Sequence, residues 1–115
     1  MDVKRSRSFV DARKVPRIEV RWPVTLMMEN RSVEGQVKNI SVEGVYIQFK
    51  HSIEEMPTKE AYRLLIRPPG EKITVSGKLV WSNLDILPEM GFCFVEFSEG
   101  DRELLSEAIQ KYTEK

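Results

Sequence analysis

The sequence predicts a mostly β protein: a small antiparallel β-barrel of six to seven strands, followed by a C-terminal α-helix and preceded by a flexible basic N-terminal arm. Apolar residues recur at every second position in short segments, turn residues separate those segments, and only the last stretch carries a helical period. Short strands in such number remove their exposed edges by closing into a barrel.

The elements follow in order. In EVRWPVTLMME, residues 19–29, the alternation of Val20, Trp22, Val24, Leu26 and Met28 marks a half-buried first strand, and Pro23 puts it near an edge or irregularity. ENRS supplies a turn, VEGQVKNI returns as the second strand, and GVYIQF sets Val45, Ile47 and Phe49 on one face of the third. Beyond a polar stretch containing Pro57, AYRLLIR gives a fourth strand and PPG a turn. KITVSGKLVWS is the fifth, with Ile73, Val75, Leu79 and Trp81 in phase and a bulge expected at Gly77. The nearly unbroken apolar run of MGFCFVEF reads as a central strand. Trp22, Trp81 and the phenylalanines, alternating within strands, are assigned to the core. In the closing helix Leu104, Leu105, Ala108, Ile109 and Tyr112 share a face, with Ser98 as N-cap and Asp101 three residues later.

A length of 115 residues suits a single domain, divided into an arm over 1–18 and a barrel with its helix over 19–115. No apolar run approaches the roughly 20 residues of a membrane span, and MDVKRSRSFVDARK lacks the apolar stretch of a secretory signal. A cytoplasmic protein without membrane insertion is expected. The lone Cys93, in GFCFVEF, is expected to be a small buried or half-buried strand residue rather than a nucleophile. His51 has no Cys, Asp or second His at ligand spacing, and Glu54, Glu55, Glu99 and Asp101 lack a nucleophile or metal cluster beside them. Neither a metal site nor an enzymatic activity is expected.

The zero net charge hides an asymmetry. Through Arg21 the chain carries seven Lys and Arg against Asp2, Asp11 and Glu19, a net of +4, so the remainder carries −4. A basic arm on a mildly acidic body points to an anion held locally, not to a surface that tracks DNA or RNA.

NISVEG, residues 39–44, interrupts the β pattern between the second and third strands. Asn and Ser bond to nearby backbone and Gly adopts positive φ, so this stretch is either a structural turn or a shaped ligand loop. A first hairpin centred near Arg31 and Ser32 pairs residues whose numbers sum to about 63, which sets Glu19 close to Gly44 and brings RKVPR beside NISVEG. Arg13 and Arg17 are spaced i, i+4 about Pro16, which stiffens the chain and disfavours helix. Two guanidinium forks there match phosphate, or guanine O6 and N7. Asn39 offers a donor and an acceptor to a base edge, Ser41 a hydroxyl for phosphate or loop bonding, and Gly44 close backbone approach. Lys14 and Arg21 are further candidates, Arg21 being as well placed to face solvent.

Arg13-x-x-x-Arg17, followed after 21 residues by Asn39-x-Ser41-x-x-Gly44, resembles the paired signature of PilZ domains, bacterial receptors for the second messenger cyclic di-GMP. GKLVWSN, MGFCFVEFS and the last helix fall where that family has its later strands and helix, so the resemblance spans nearly the whole chain. It implies that Arg13 and Arg17 grip phosphates and guanine Hoogsteen edges while Asn39, Ser41 and Gly44 form the opposing surface. It implies cyclic di-GMP as ligand, no cofactor, and a protein partner in motility, exopolysaccharide or other signalling. Ala12, where many members carry a large or basic residue, leaves one bound dinucleotide or an intercalated pair open. Two rival readings are a PilZ-like adaptor acting by protein contact without nucleotide, and a small barrel that binds single-stranded nucleic acid.

Overall fold

A computed structural model describes residues 17–51, 53, 60–84 and 87–113. Among these residues there are six strands and one helix: β1 Pro23–Met27, β2 Ser32–Ile40, β3 Gly44–Phe49, β4 Ala61–Ile66, β5 Ile73–Asn83, β6 Glu89–Phe97 and α1 Asp101–Thr113. The strands form a closed barrel in the order β1-β2-β3-β6-β5-β4, every neighbouring pair antiparallel, with β1 pairing β4 to complete the ring. The fold class matches the expectation. None of the described helices is long and apolar enough to cross a membrane.

Period-two alternation fills the barrel: Leu26, Ile47, Phe49, Leu64, Ile66, Leu79 and Met90 are all fully buried. Each such side chain contributes roughly 1.5–3 kcal/mol of apolar burial. Helix α1 adds Leu105 and Ile109 to the same core. Its start is tied to β5, where Thr74 N–H donates to Asp101 Oδ2 at 2.7 Å and Ser98 N–H donates to Thr74 O at 3.1 Å.

Several local expectations are corrected. The first hairpin pairs Pro23 with Gln36 and Met27 with Ser32, numbers that sum to 59 rather than about 63. Its turn is closed by Met28 N–H donating to Arg31 O at 2.7 Å. Since that shift is an even number of residues, the inward faces are unchanged. The helix begins at Asp101 after Gly100, whose φ is +82°, so Ser98 caps nothing with its side chain and contributes backbone bonds instead.

The irregularity expected at Gly77 is present, but the extra residue is Val95 on the facing strand: Ser76 pairs Glu96 and Gly77 pairs Phe94. A second bulge makes Val80 the extra residue between Leu79 and Trp81. Bulged residues leave the alternation. Val80 and Val95 are therefore 57% and 60% exposed, Trp81 turns outward at 40%, and MGFCFVEF is buried only in its first half. Cys93, in register with Gly44 on one side and Lys78 on the other, is exposed rather than buried.

Candidate ligand-binding site

The segment before β1 runs extended along the end of β2. Ile18 and Ile40 exchange both backbone hydrogen bonds, at 3.0 and 2.9 Å, and Val37 N–H donates to Trp22 O at 2.9 Å. Ile18, Val20 and Trp22 are buried, so the alternation leaves Arg17, Glu19 and Arg21 exposed. The arm thus meets the loop through Ile18 and Ile40, not through Glu19 and Gly44. Arg17 Nη1 donates to Asn39 Oδ1 at 3.1 Å, joining two residues 22 positions apart. Arg13 and Lys14 lie outside the described residues.

Asn39 reaches this position through a bulge. Val37 pairs Ile47 and Asn39 pairs Tyr46, so Lys38 is the extra residue on β2. Regular alternation would send Lys38 and Asn39 to opposite faces. With the bulge both line an outer recess of about 780 Å³, together with Glu19, Arg21, Gln36, Tyr46 and Gln48. Tyr112, from the last turn of α1, also reaches it.

The loop after β2 is organised from within. Ser41 Oγ accepts from Glu43 N–H at 3.0 Å, Ser41 N–H donates to Gly44 O at 2.9 Å, and Phe94 N–H of β6 donates to Glu43 O at 2.8 Å. Ser41 is 3% exposed, so of its two expected uses the hydroxyl serves the loop bond here. Gly44 does not have positive φ; among described glycines only Gly70 and Gly100 do. Glycine is required at 44 because a Cβ there would lie 2.6 Å from the backbone oxygen of Phe92.

One feature escaped the sequence reading. Tyr46 and Trp81 stack with centroids 5.1 Å apart and planes 18° apart. They do so across Gly91, where a Cβ would lie 3.1 Å from Tyr46 Cε1. Asn39, Tyr46, Gly91 and Trp81 are cross-strand partners in one row over four strands, so a flat aromatic surface continues from the amide of Asn39. The available signal was Gly91, since a strand glycine marks close approach by another group. The bulge at Val80, which turns Trp81 outward, left no mark in the sequence.

The cations Arg21 and Lys38, set against the single carboxylate of Glu19, with the amide of Asn39 and the aromatic face, suit a planar, anionic ligand. Among the described residues no cluster of three or more His, Cys, Asp or Glu side chains comes together, and His51 is exposed.

The sequence matches the PilZ domain family model over residues 11–111. The chain belongs to the PilZ domain family. No curated protein matches the sequence at comparable stringency. Among solved structures, the Bacillus subtilis inhibitor of motility MotI/DgrA is similar with a TM-score of 0.73 and 22% identity over 90% of this chain and 52% of that one. YcgR from Escherichia coli in complex with c-di-GMP follows at 0.72 and 13% identity, over 89% of this chain and 46% of that one. The PilZ domain of YcgR with c-di-GMP superposes at 0.65 and 13% identity, over 84% of this chain and 87% of that one. At such identities the likeness is one of fold, and this PilZ domain spans about half the length of the first two structures.

Proposed function

We propose that this PilZ domain is a cytoplasmic, non-enzymatic receptor for cyclic di-GMP, and that Arg13, Arg17, Asn39, Ser41 and Gly44 form its ligand site. The observation that carries the reading is the bond from Arg17 to Asn39, which holds the end of the basic arm against the loop. On this reading Arg13 and Arg17 take phosphate oxygens and the guanine edge, with Lys14 and Arg21 adding charge at the rim. Asn39 reads a base edge, Tyr46 and Trp81 offer a stacking face, and Ser41 and Gly44 keep the loop in shape. Family membership and the c-di-GMP carried by the YcgR structures support the choice of ligand.

Signalling on this reading follows from the part of the arm before the anchored Ile18, which is strongly charged and has few apolar residues beyond Phe9 and Val10. Ligand phosphates neutralise its arginines and draw it onto the barrel, and a partner protein senses the altered surface. Isothermal titration with cyclic di-GMP, with GTP and linear pGpG as controls, tests the ligand: heat with the cyclic dinucleotide is expected, and its absence favours an adaptor that works by protein contact. Hydrogen exchange over residues 5–17 tests the arm, which gains protection with saturating ligand if the mechanism holds and stays unchanged if it does not.

A further inference from the structure

Lys38, the extra residue of the β2 bulge, is not part of either signature motif. Its ammonium reaches across β3 to Glu89 on β6, with Nζ and Oε2 3.1 Å apart, and Gln48 Nε2 donates to the same oxygen at 3.2 Å. Lys38 remains 45% exposed and Glu89 25%. Lys38 and Arg21 are the cations lining the recess, beside the carboxylate of Glu19, and of these two cations only Lys38 has a carboxylate partner among the described residues. A carboxylate oxygen taking two donors occupies the role a phosphate oxygen fills in an anion site.

We infer that Glu89 is an internal substitute for ligand phosphate: it keeps Lys38 at the recess wall, and Lys38 exchanges Glu89 for the anionic ligand. Lys38 is thereby a phosphate contact additional to the arginines, and Glu89 a positioning residue that sets affinity by competition. The exchange is inexpensive in both directions. A half-exposed ion pair holds weakly, and a compact ammonium on a four-carbon stem swings without the geometric demands of a guanidinium fork. Glu89 keeps the amide of Gln48 when Lys38 leaves, so no bare carboxylate is stranded. The inference rests on the receptor reading in one respect, that the ligand carries phosphate.

Calorimetric titration of cyclic di-GMP into the parent, Lys38→Met, Glu89→Gln and the double variant tests the exchange. Lys38→Met weakens binding and Glu89→Gln strengthens it, each by up to roughly fivefold at low salt. In the Lys38→Met background Glu89→Gln produces no further gain, because its effect acts through the freed ammonium. Lys38→Arg retains parental affinity to within a factor of about two, as charge is what matters here. Unchanged binding by Lys38→Met overturns the inference, and so does an equal gain from Glu89→Gln with and without Lys38, which marks a diffuse field effect. A parent that gives no heat with cyclic di-GMP sinks the receptor reading itself, whereas a binding parent with unresponsive variants sinks only the exchange.

Discussion

Replacing Gly44 by alanine separates two explanations of a motif glycine. If Gly44 serves close approach to a ligand, Gly44→Ala costs binding alone; if it serves the β3–β6 seam, the substitution costs stability first. The added Cβ lies 2.6 Å from Phe92 O and 3.7 Å from Cys93 Cα. Carbon and oxygen sit about 3.3–3.6 Å apart even in close favourable contacts, so the strands must separate by somewhat under about 1 Å. The backbone there is held by Ser41 N–H on Gly44 O and by Phe94 N–H on Glu43 O, so separation strains or breaks bonds that position the loop. Overpacking of this kind costs roughly 1–3 kcal/mol. For a domain near this size each kcal/mol lowers Tm by about 4–8 °C. Urea unfolding followed by tryptophan fluorescence should show a lower midpoint at unchanged slope, together with weakened ligand binding. Gly70→Ala is the control, since Gly70 has φ +77° with nothing within 4 Å of a Cβ. It loses roughly 1–2 kcal/mol through backbone strain alone and leaves binding intact. A Gly44→Ala variant that melts with the parent refutes the seam argument.

Arg17→Ala should weaken cyclic di-GMP binding by roughly tenfold to over a thousandfold in calorimetry, the span of a charge-assisted bond with or without lost base stacking, while Arg17→Lys recovers only part; a Lys variant equal to the parent reduces the arm to a source of charge. Asp101→Ala removes the acceptor of Thr74 N–H and should cost roughly 1.5–3 kcal/mol in urea unfolding, with faster exchange of that amide; unchanged exchange contradicts the tether. Burial, and secondarily the nearby Glu60 carboxylate, raise the Tyr62 hydroxyl above its ordinary 10.0. The folded chain therefore holds that proton more tightly than the unfolded chain, and the contribution is complete below about pH 10 and lost as pH rises through the raised value. Tyr62→Phe should flatten the alkaline fall in stability, and an identical fall in both proteins counts against the shift.

The strands were legible because a closed barrel imposes the same inside–outside alternation on each of them, as in Val24 and Leu26, or Val45, Ile47 and Phe49. The meeting of arm and loop was legible for a more robust reason. Any hairpin joining the first two strands carries RKVPR back toward NISVEG, and the register error of four residues moved the contact only from Gly44 to Ile40. What escaped prediction were the bulges at Lys38 and Val80, and the fact that the irregularity expected at Gly77 puts its extra residue, Val95, on the facing strand. A bulge costs little locally and is decided by which pairing satisfies the neighbouring strand, so it leaves a weak trace in its own residues. Its effect on faces is nonetheless complete: it sends Lys38 and Asn39 to one recess, brings Trp81 out of the core, and strands Val95 in solvent. The reason for Gly44 was equally hidden, because Phe92 O lies on a strand nearly fifty residues away.

Loop 41–43 leans on β6 through the amide of Phe94, which donates to Glu43 O, and Gly44 beside it packs close to the carbonyl of Phe92, although the loop belongs to the β2–β3 hairpin. That dependence ties recognition to the order in which the chain folds. A hairpin of β1, β2 and β3 forms from contacts close in sequence, but the pairing of β3 with β6 must wait for β4 and β5, and closing so long a loop is slow. On a ribosome, the chain through Asn83 contains both signature motifs yet lacks the strand against which the loop is set. The loop takes its shape only with the final strand, so on the receptor reading a nascent or proteolysed fragment that ends before β6 carries both motifs and is expected to bind no ligand.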